Sequence, residues 1–396
     1  MNIANAPHRL LFAIGAGNVL LAMAWWALWL VDLRWQSSGL QQPAVYGGWI
    51  HAVVMQYQVL APFMFGFLLT VFPRWMGLDE LSRWHYVPVG VGLLGGQLLT
   101  IAGALGPAHF LHLGALFTIA GWATGLFYLL RWLWQDAGRT WHAVSCGAAM
   151  LAGLGGLVCY AMYLHGADPR LMFASIKIGS FGLLLPVYFT VAHRMFPFFA
   201  ANVVPGYRPW RDLRVLAAFW PLALAHLVLE LAHAYAWLWI PDAGLLALSA
   251  TWLWRNWPRG RAPALARVLF LGYAWLPVAM MLYIVQSAIY ALDGGFVLGR
   301  APAHALFIGF FGSLLVAMVT RVTQGHSGRP LVFGKVAAFA FVVIQLVAAT
   351  RIVAELMPDQ WAWQAVAAIG WLLAFAPWVL ASLRIYFTPR ADGRPG

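Results

Sequence analysis

Stretches of about twenty apolar, uncharged residues recur from one end of this chain to the other, and they restrict its fold more than any other feature. A hydrocarbon core of about 30 Å takes about 20 helical residues to cross. Windows of that kind are predicted near residues 10–31, 47–72, 86–105, 109–133, 142–164, 171–193, 214–238, 240–254, 266–291, 303–321, 334–355 and 364–386. In lipid a backbone must satisfy its own hydrogen bonds, which admits helices and closed barrels alone. Barrel strands alternate lipid-facing and lumen-facing residues, whereas these runs do not alternate, so helices are expected. The charged fraction, 9%, against about 25% in soluble domains, excludes a soluble enzyme core. The predicted fold is all-α, a polytopic membrane helix bundle of about 12 transmembrane helices forming one integral membrane domain over residues 1–396. The first window is not read as a cleaved signal, because it is too long and carries Trp25, Trp26 and Trp29 where small residues would mark a cut.

Lys and Arg concentrate in cytoplasmic loops. With the N-terminus inside, most of the 24 basic residues fall on inner segments, from Arg9 through Arg74, Arg194, Arg255 and Arg329 to Arg390 and Arg394. Arg34, Arg170, Arg300 and Arg351 fall outside, so both termini are expected in the cytoplasm. The net charge of +12 then reflects topology and anionic lipid, and the arginines are too dispersed to form a nucleic-acid stripe. Cys146 and Cys159 form no CxxC motif and are expected to be buried structural thiols.

Spans two, six and ten share the pattern F-G-x-L-L, at Phe65–Leu69, Phe181–Leu185 and Phe311–Leu315, each followed by a basic residue, Arg74, Arg194 or Arg321. This raises the expectation of three four-helix repeats, 1–133, 134–254 and 255–390. A twelve-helix layout with histidines at the starts of spans two and ten is similar in architecture to the catalytic subunit of haem-copper oxidases, an analogy of layout only.

The polar residues separate by depth. His51 and His304 begin spans two and ten near the outer face and together form a candidate axial pair for a b-type haem; taken singly, each reads rather as an interfacial imidazole bonded to water or a carbonyl. His112 lies at similar depth. In span seven, His226, Glu230 and His233 are spaced i, i+4, i+7, which predicts one helical face. An intramembrane carboxylate needs a partner. That partner is either Lys177 of span six, as a plain ion pair, or a metal or proton site built on the imidazoles. At the inner face His8, Arg9, Arg74, His193, Arg194, Arg321, His326 and Arg329 either end helices and snorkel to headgroups, or line a pocket for an anion or a haem propionate. An outer haem would not reach that pocket, so the two would be separate sites.

The sequence resembles the NnrS family of bacterial membrane proteins over nearly its whole length. The resemblance rests on Pro7-His8-Arg9-Leu10, on Gly66-Phe67-Leu68-Leu69-Thr70 with Pro73 and Trp75, on Arg194-Met195-Phe196-Pro197-Phe198-Phe199, and on His304-Ala305-Leu306 running into Met318-Val319-Thr320-Arg321 and Gly325-His326-Ser327-Gly328-Arg329-Pro330. It implies a twelve-helix inner-membrane protein that binds haem and copper and serves tolerance of nitric oxide and nitrosative stress, often alongside denitrification. The expected cofactors are thus haem b and copper, the expected partners the lipid bilayer and nitric oxide, and the activity a haem-based redox handling of that gas, or its sequestration or sensing. One departure stands out: where the family shows W-H-x-H-E-M at the start of span two, this chain has Trp49, Ile50, His51, Ala52, Val53, Val54 and Met55. If the family's pair holds a metal, one cofactor fewer is implied here. The competing reading is a transporter or channel for a small anionic solute without cofactor, with Lys177, Glu230 and the inner arginines as its path.

Overall fold

The computed structural model describes residues 3–37, 39–40 and 42–393; Arg394 lies outside them. Among the described residues the regular structure is helical throughout. Twelve long helices follow one another: α1 (Pro7–Trp35), α2 (Gly47–Met76), α3 (Arg83–Leu105), α4 (His109–Gln135), α5 (Trp141–Leu164), α6 (Arg170–Ala201), α7 (Leu213–Leu231), α8 (Trp239–Asn256), α9 (Ala264–Asp293), α10 (Ala301–His326), α11 (Lys335–Leu356) and α12 (Gln360–Tyr386). All but α8 are long and apolar enough to cross a membrane, as a multi-pass membrane protein requires. Cys146 is buried and Cys159 half-buried, and both are free thiols.

One expected span is shorter than its apolar run. The window 214–238 predicts a helix through residue 238, but α7 stops at Leu231. His233 takes a left-handed backbone (φ +55), Ala234 N–H bonds the Leu229 carbonyl at 2.8 Å, and His233 N–H bonds the Glu230 carbonyl at 3.0 Å. These two bonds are the Schellman closure that satisfies the last carbonyls of a helix. Hydropathy carries no signal for it, because every residue involved is compatible with a membrane helix.

The chain divides into two compact units. The first comprises the described residues of Met1–Val187 with His326–Arg329 and Val379–Gly396; the second comprises Tyr188–Gly325 and Pro330–Trp378. In the first, α3 and α4 approach backbone to backbone: a Cβ added at Gly92 would lie 2.5 Å from the Gly121 Cα. Between membrane helices such small-residue contacts replace the hydrophobic effect, which lipid does not supply. Polar side chains knit the same helices. Gln58 of α2 donates to Thr100 of α3 and Thr118 of α4, each at 2.9 Å. Asn18 of α1 donates to the Gln58 carbonyl at 2.8 Å, and Gln97 donates to the Asn18 carbonyl at 2.7 Å.

The second unit is aromatic at its centre. Phe189 stacks on Phe219 with centroids 4.2 Å apart, and Trp252 meets Tyr273 at 4.5 Å. Trp275 of α9 lies on α10 where a Cβ at Gly309 would come within 2.5 Å of its ring, and its indole N–H donates to Gln345, which donates in turn to Ser313 at 2.7 Å.

Three helices contain π-helical segments: α2 at Met55–Val59, α6 at Ile178–Leu184 and α10 at Ala305–Gly312. They are the three helices that carry the F-G-x-L-L pattern. A π segment inserts a residue into the α ladder and re-aims the side chains beside it, and such segments concentrate at functional sites. In α2 the widening lets Gln56, Tyr57 and Gln58 all be buried in succession. Gln56 donates to the Ile176 carbonyl and Ser180, and Tyr57 to the Ser175 carbonyl at 2.6 Å.

Candidate functional site

In the first unit the start of α1, the end of α2, the segment His326–Arg329 and the segment after α12 converge. His8 N–H donates to Thr70 Oγ1 at 3.2 Å, and Thr70 donates to the Gly66 carbonyl at 2.7 Å. The rings of His8 and His326 lie 4.3 Å apart, centroid to centroid. Arg9 donates to the Tyr386 carbonyl at 2.7 Å and to the Thr388 carbonyl. Arg329 donates to Thr388 Oγ1 at 3.1 Å, and Arg390 to the His326 carbonyl at 2.7 Å while it forks onto Asp392. Arg74 pairs with Glu80 at 3.1 Å. The start of α1 therefore meets the segment after α12. Five of the eight inner-motif residues, His8, Arg9, Arg74, His326 and Arg329, belong to this unit. Thr70, Thr388 and Arg390 complete the junction. Sequence reasoning missed them because isolated threonines and a tail arginine carry no spacing signal.

The remaining three inner-motif residues belong to the second unit. The Arg321 guanidinium lies 4.0 Å from the centroid of Phe199, a cation–π contact. Its neighbour Thr320 accepts from Trp378 at 2.9 Å. His193 is fully buried, and its Nε2 donates to the Asp212 carbonyl at 3.1 Å. Arg194 is half-buried.

Span seven resolves differently from its spacing. His226 is buried between two carboxylates: Nδ1 lies 2.6 Å from Asp242 Oδ1, and Nε2 lies 3.5 Å from Glu230 Oε2. The edge of Tyr283 packs on the imidazole at 5.0 Å. Asp242, in the first turn of α8, was not anticipated, although a lone acid in an apolar run is itself a signal. His233 leaves the shared face because the helix ends before it. It is exposed, with Nδ1 2.7 Å from the Tyr235 hydroxyl. His112 packs edge-on against His165 at 4.7 Å. Lys177 is half-buried, its ammonium 5.2 Å from the Phe173 ring centroid. Among the described residues no three His, Cys, Asp or Glu side chains are grouped to hold a metal ion. His233→Gly is therefore expected to raise stability by about 1 kcal/mol, the relief of a left-handed non-glycine residue; thermal melts in detergent check it, and a fall in melting temperature would contradict it.

The outer histidines are held firmly. His51 stacks on Trp26 with centroids 4.1 Å apart and planes 12° from parallel. His304 sits at the entry to the α10 π segment, with Nδ1 2.9 Å from the Arg300 carbonyl. A carbonyl only accepts, so Nδ1 carries the proton and Nε2 is the basic nitrogen. That is the tautomer and tethering found in metal-ligating histidines, and His304 fits an axial role on these grounds.

In comparisons with known proteins, the family model described as NnrS protein matches residues 2–390. No match is found among curated proteins.

Proposed function

This chain belongs to the NnrS family, and from that premise we propose that it is a bacterial inner-membrane haem b protein of the response to nitric oxide and nitrosative stress, with copper as a further metal. The observation that carries the haem reading is His304: its Nδ1–H is spent on the Arg300 carbonyl, which orients the ring and makes Nε2 the basic nitrogen. His51, stacked on Trp26, belongs to the other unit and is a candidate ligand only within it. With His304 as its one protein ligand, a ferrous haem would keep a coordination position for a diatomic gas. The protein's share is to hold the imidazole, keep its tautomer and exclude water. The shortened histidine motif at Trp49–Met55 favours fewer metals here than in relatives that carry the full W-H-x-H-E-M pattern.

Protein purified after expression with ample iron and haem precursor is expected to show a Soret band and bound haem by extraction. His304→Ala is expected to lower haem occupancy at least ten-fold, a loss of about 1.4 kcal/mol or more, while the far-ultraviolet circular dichroism is unchanged. Absence of haem from the wild-type protein, together with flux of a small anion in liposomes, would decide for the transporter reading.

A further inference from the structure

The junction of the chain's two ends leaves a charge unanswered. Arg390 has Asp392 on its fork and Arg74 has Glu80. Among the described residues Arg9 and Arg329 have no carboxylate partner: the oxygens they bond are neutral, the carbonyls of Tyr386 and Thr388 for one and the Thr388 hydroxyl for the other. Two guanidiniums thus end on a single residue, Thr388. The Nη1 of Arg329 is buried with no hydrogen-bond partner among the described residues. A buried cationic N–H without an acceptor is more costly than an unmet neutral donor, and two like charges converging on one threonine repel. Beside them the His8 and His326 rings meet at a tilt of 42°, and neither brings negative charge. Arg9, Arg329, His326 and Thr388 are all half-buried, so each keeps part of its surface accessible.

We propose that Arg9 and Arg329 form a binding site for a phosphate group, with His326 at its edge. A tetrahedral oxyanion presents several acceptors at once, and the planar guanidinium fork matches two of them, which a point charge does not. The phosphate comes either from solution or from a lipid headgroup, since the site lies at helix ends where anionic lipid concentrates basic residues. This site stands apart from the haem reading and does not depend on it.

Thermal unfolding of the full-length protein in detergent, at fixed ionic strength set with chloride, tests the assignment. Two probes are titrated: inorganic phosphate and a soluble short-chain phosphatidic acid. A ligand that binds only the folded state raises the melting temperature with its concentration. The expected result is a saturable rise for the wild type and for Arg384→Gln, an exposed charge-loss control, and at least a ten-fold weaker response for Arg329→Gln. If Arg329→Gln does not fold, Arg329→Lys, which keeps the charge and loses the fork, is expected to respond less than the wild type. A rise with both probes assigns the site to free phosphate, and a rise with the lipid alone assigns it to the headgroup. No rise in the wild type with either probe, or an undiminished rise in the Arg329 variants, overturns the proposal.

Discussion

Replacing Gly92 by leucine is expected to remove most of the folded protein from detergent extracts. The Cβ alone would meet the Gly121 Cα at 2.5 Å and the Phe117 carbonyl at 2.7 Å. These are backbone atoms, so no rotamer change relieves the contact; α3 and α4 must separate. Separation also pulls Thr100 and Thr118 away from Gln58, which bridges the pair. Overpacking in a well-filled interior costs about 1–3 kcal/mol, and a clash with backbone plus two lost hydrogen bonds lies at or beyond the top of that range. Gly17, with nothing within 4 Å of its added Cβ, is the control. Size-exclusion profiles that look the same for Gly92→Leu and Gly17→Leu would show that the close approach of α3 and α4 is not what holds this unit together.

Asp242→Ala should be the most damaging single truncation in the second unit. Its carboxylate lies 2.6 Å from His226 Nδ1, and both residues are completely buried. Removing one member of a buried pair leaves the other in a low-dielectric interior, a loss of about 3–5 kcal/mol. Asp242→Asn keeps an oxygen that accepts from Nδ1–H and is expected to cost less. Melting temperatures of the two variants, measured side by side, carry the test: equal, small shifts would mean that the pair contributes shape rather than electrostatics. The comparison also bears on haem, because neither variant touches His304 and both should keep wild-type haem occupancy per folded molecule.

The helices themselves were legible before any coordinates. Hydrocarbon thickness sets a length, the absence of backbone hydrogen bonds from lipid sets the conformation, and both act on each segment separately. That is why windows such as 109–133 and 364–386 fall inside α4 and α12. The end of α7 was not legible. It depends on His233 adopting a left-handed backbone, a choice no hydropathy window registers. The same blindness explains the candidate site. Spacing placed Glu230 and His233 on one face, yet three residues separate a buried acid from an exposed imidazole once the helix closes between them. His226 and Glu230, within the helix, did pair as the i, i+4 spacing predicts.

Sequence alone determined that this is an all-α membrane protein and to which family it belongs, because each of these follows from local composition or from a motif read in order. Tertiary structure decided the rest. Only contacts between helices place Arg9 on Thr388, at the far end of the chain, and Asp242 of the next helix on His226. The reason is physical: solvation acts on a segment at a time and is written in its composition, whereas hydrogen bonds and ion pairs are fixed by which helices pack together.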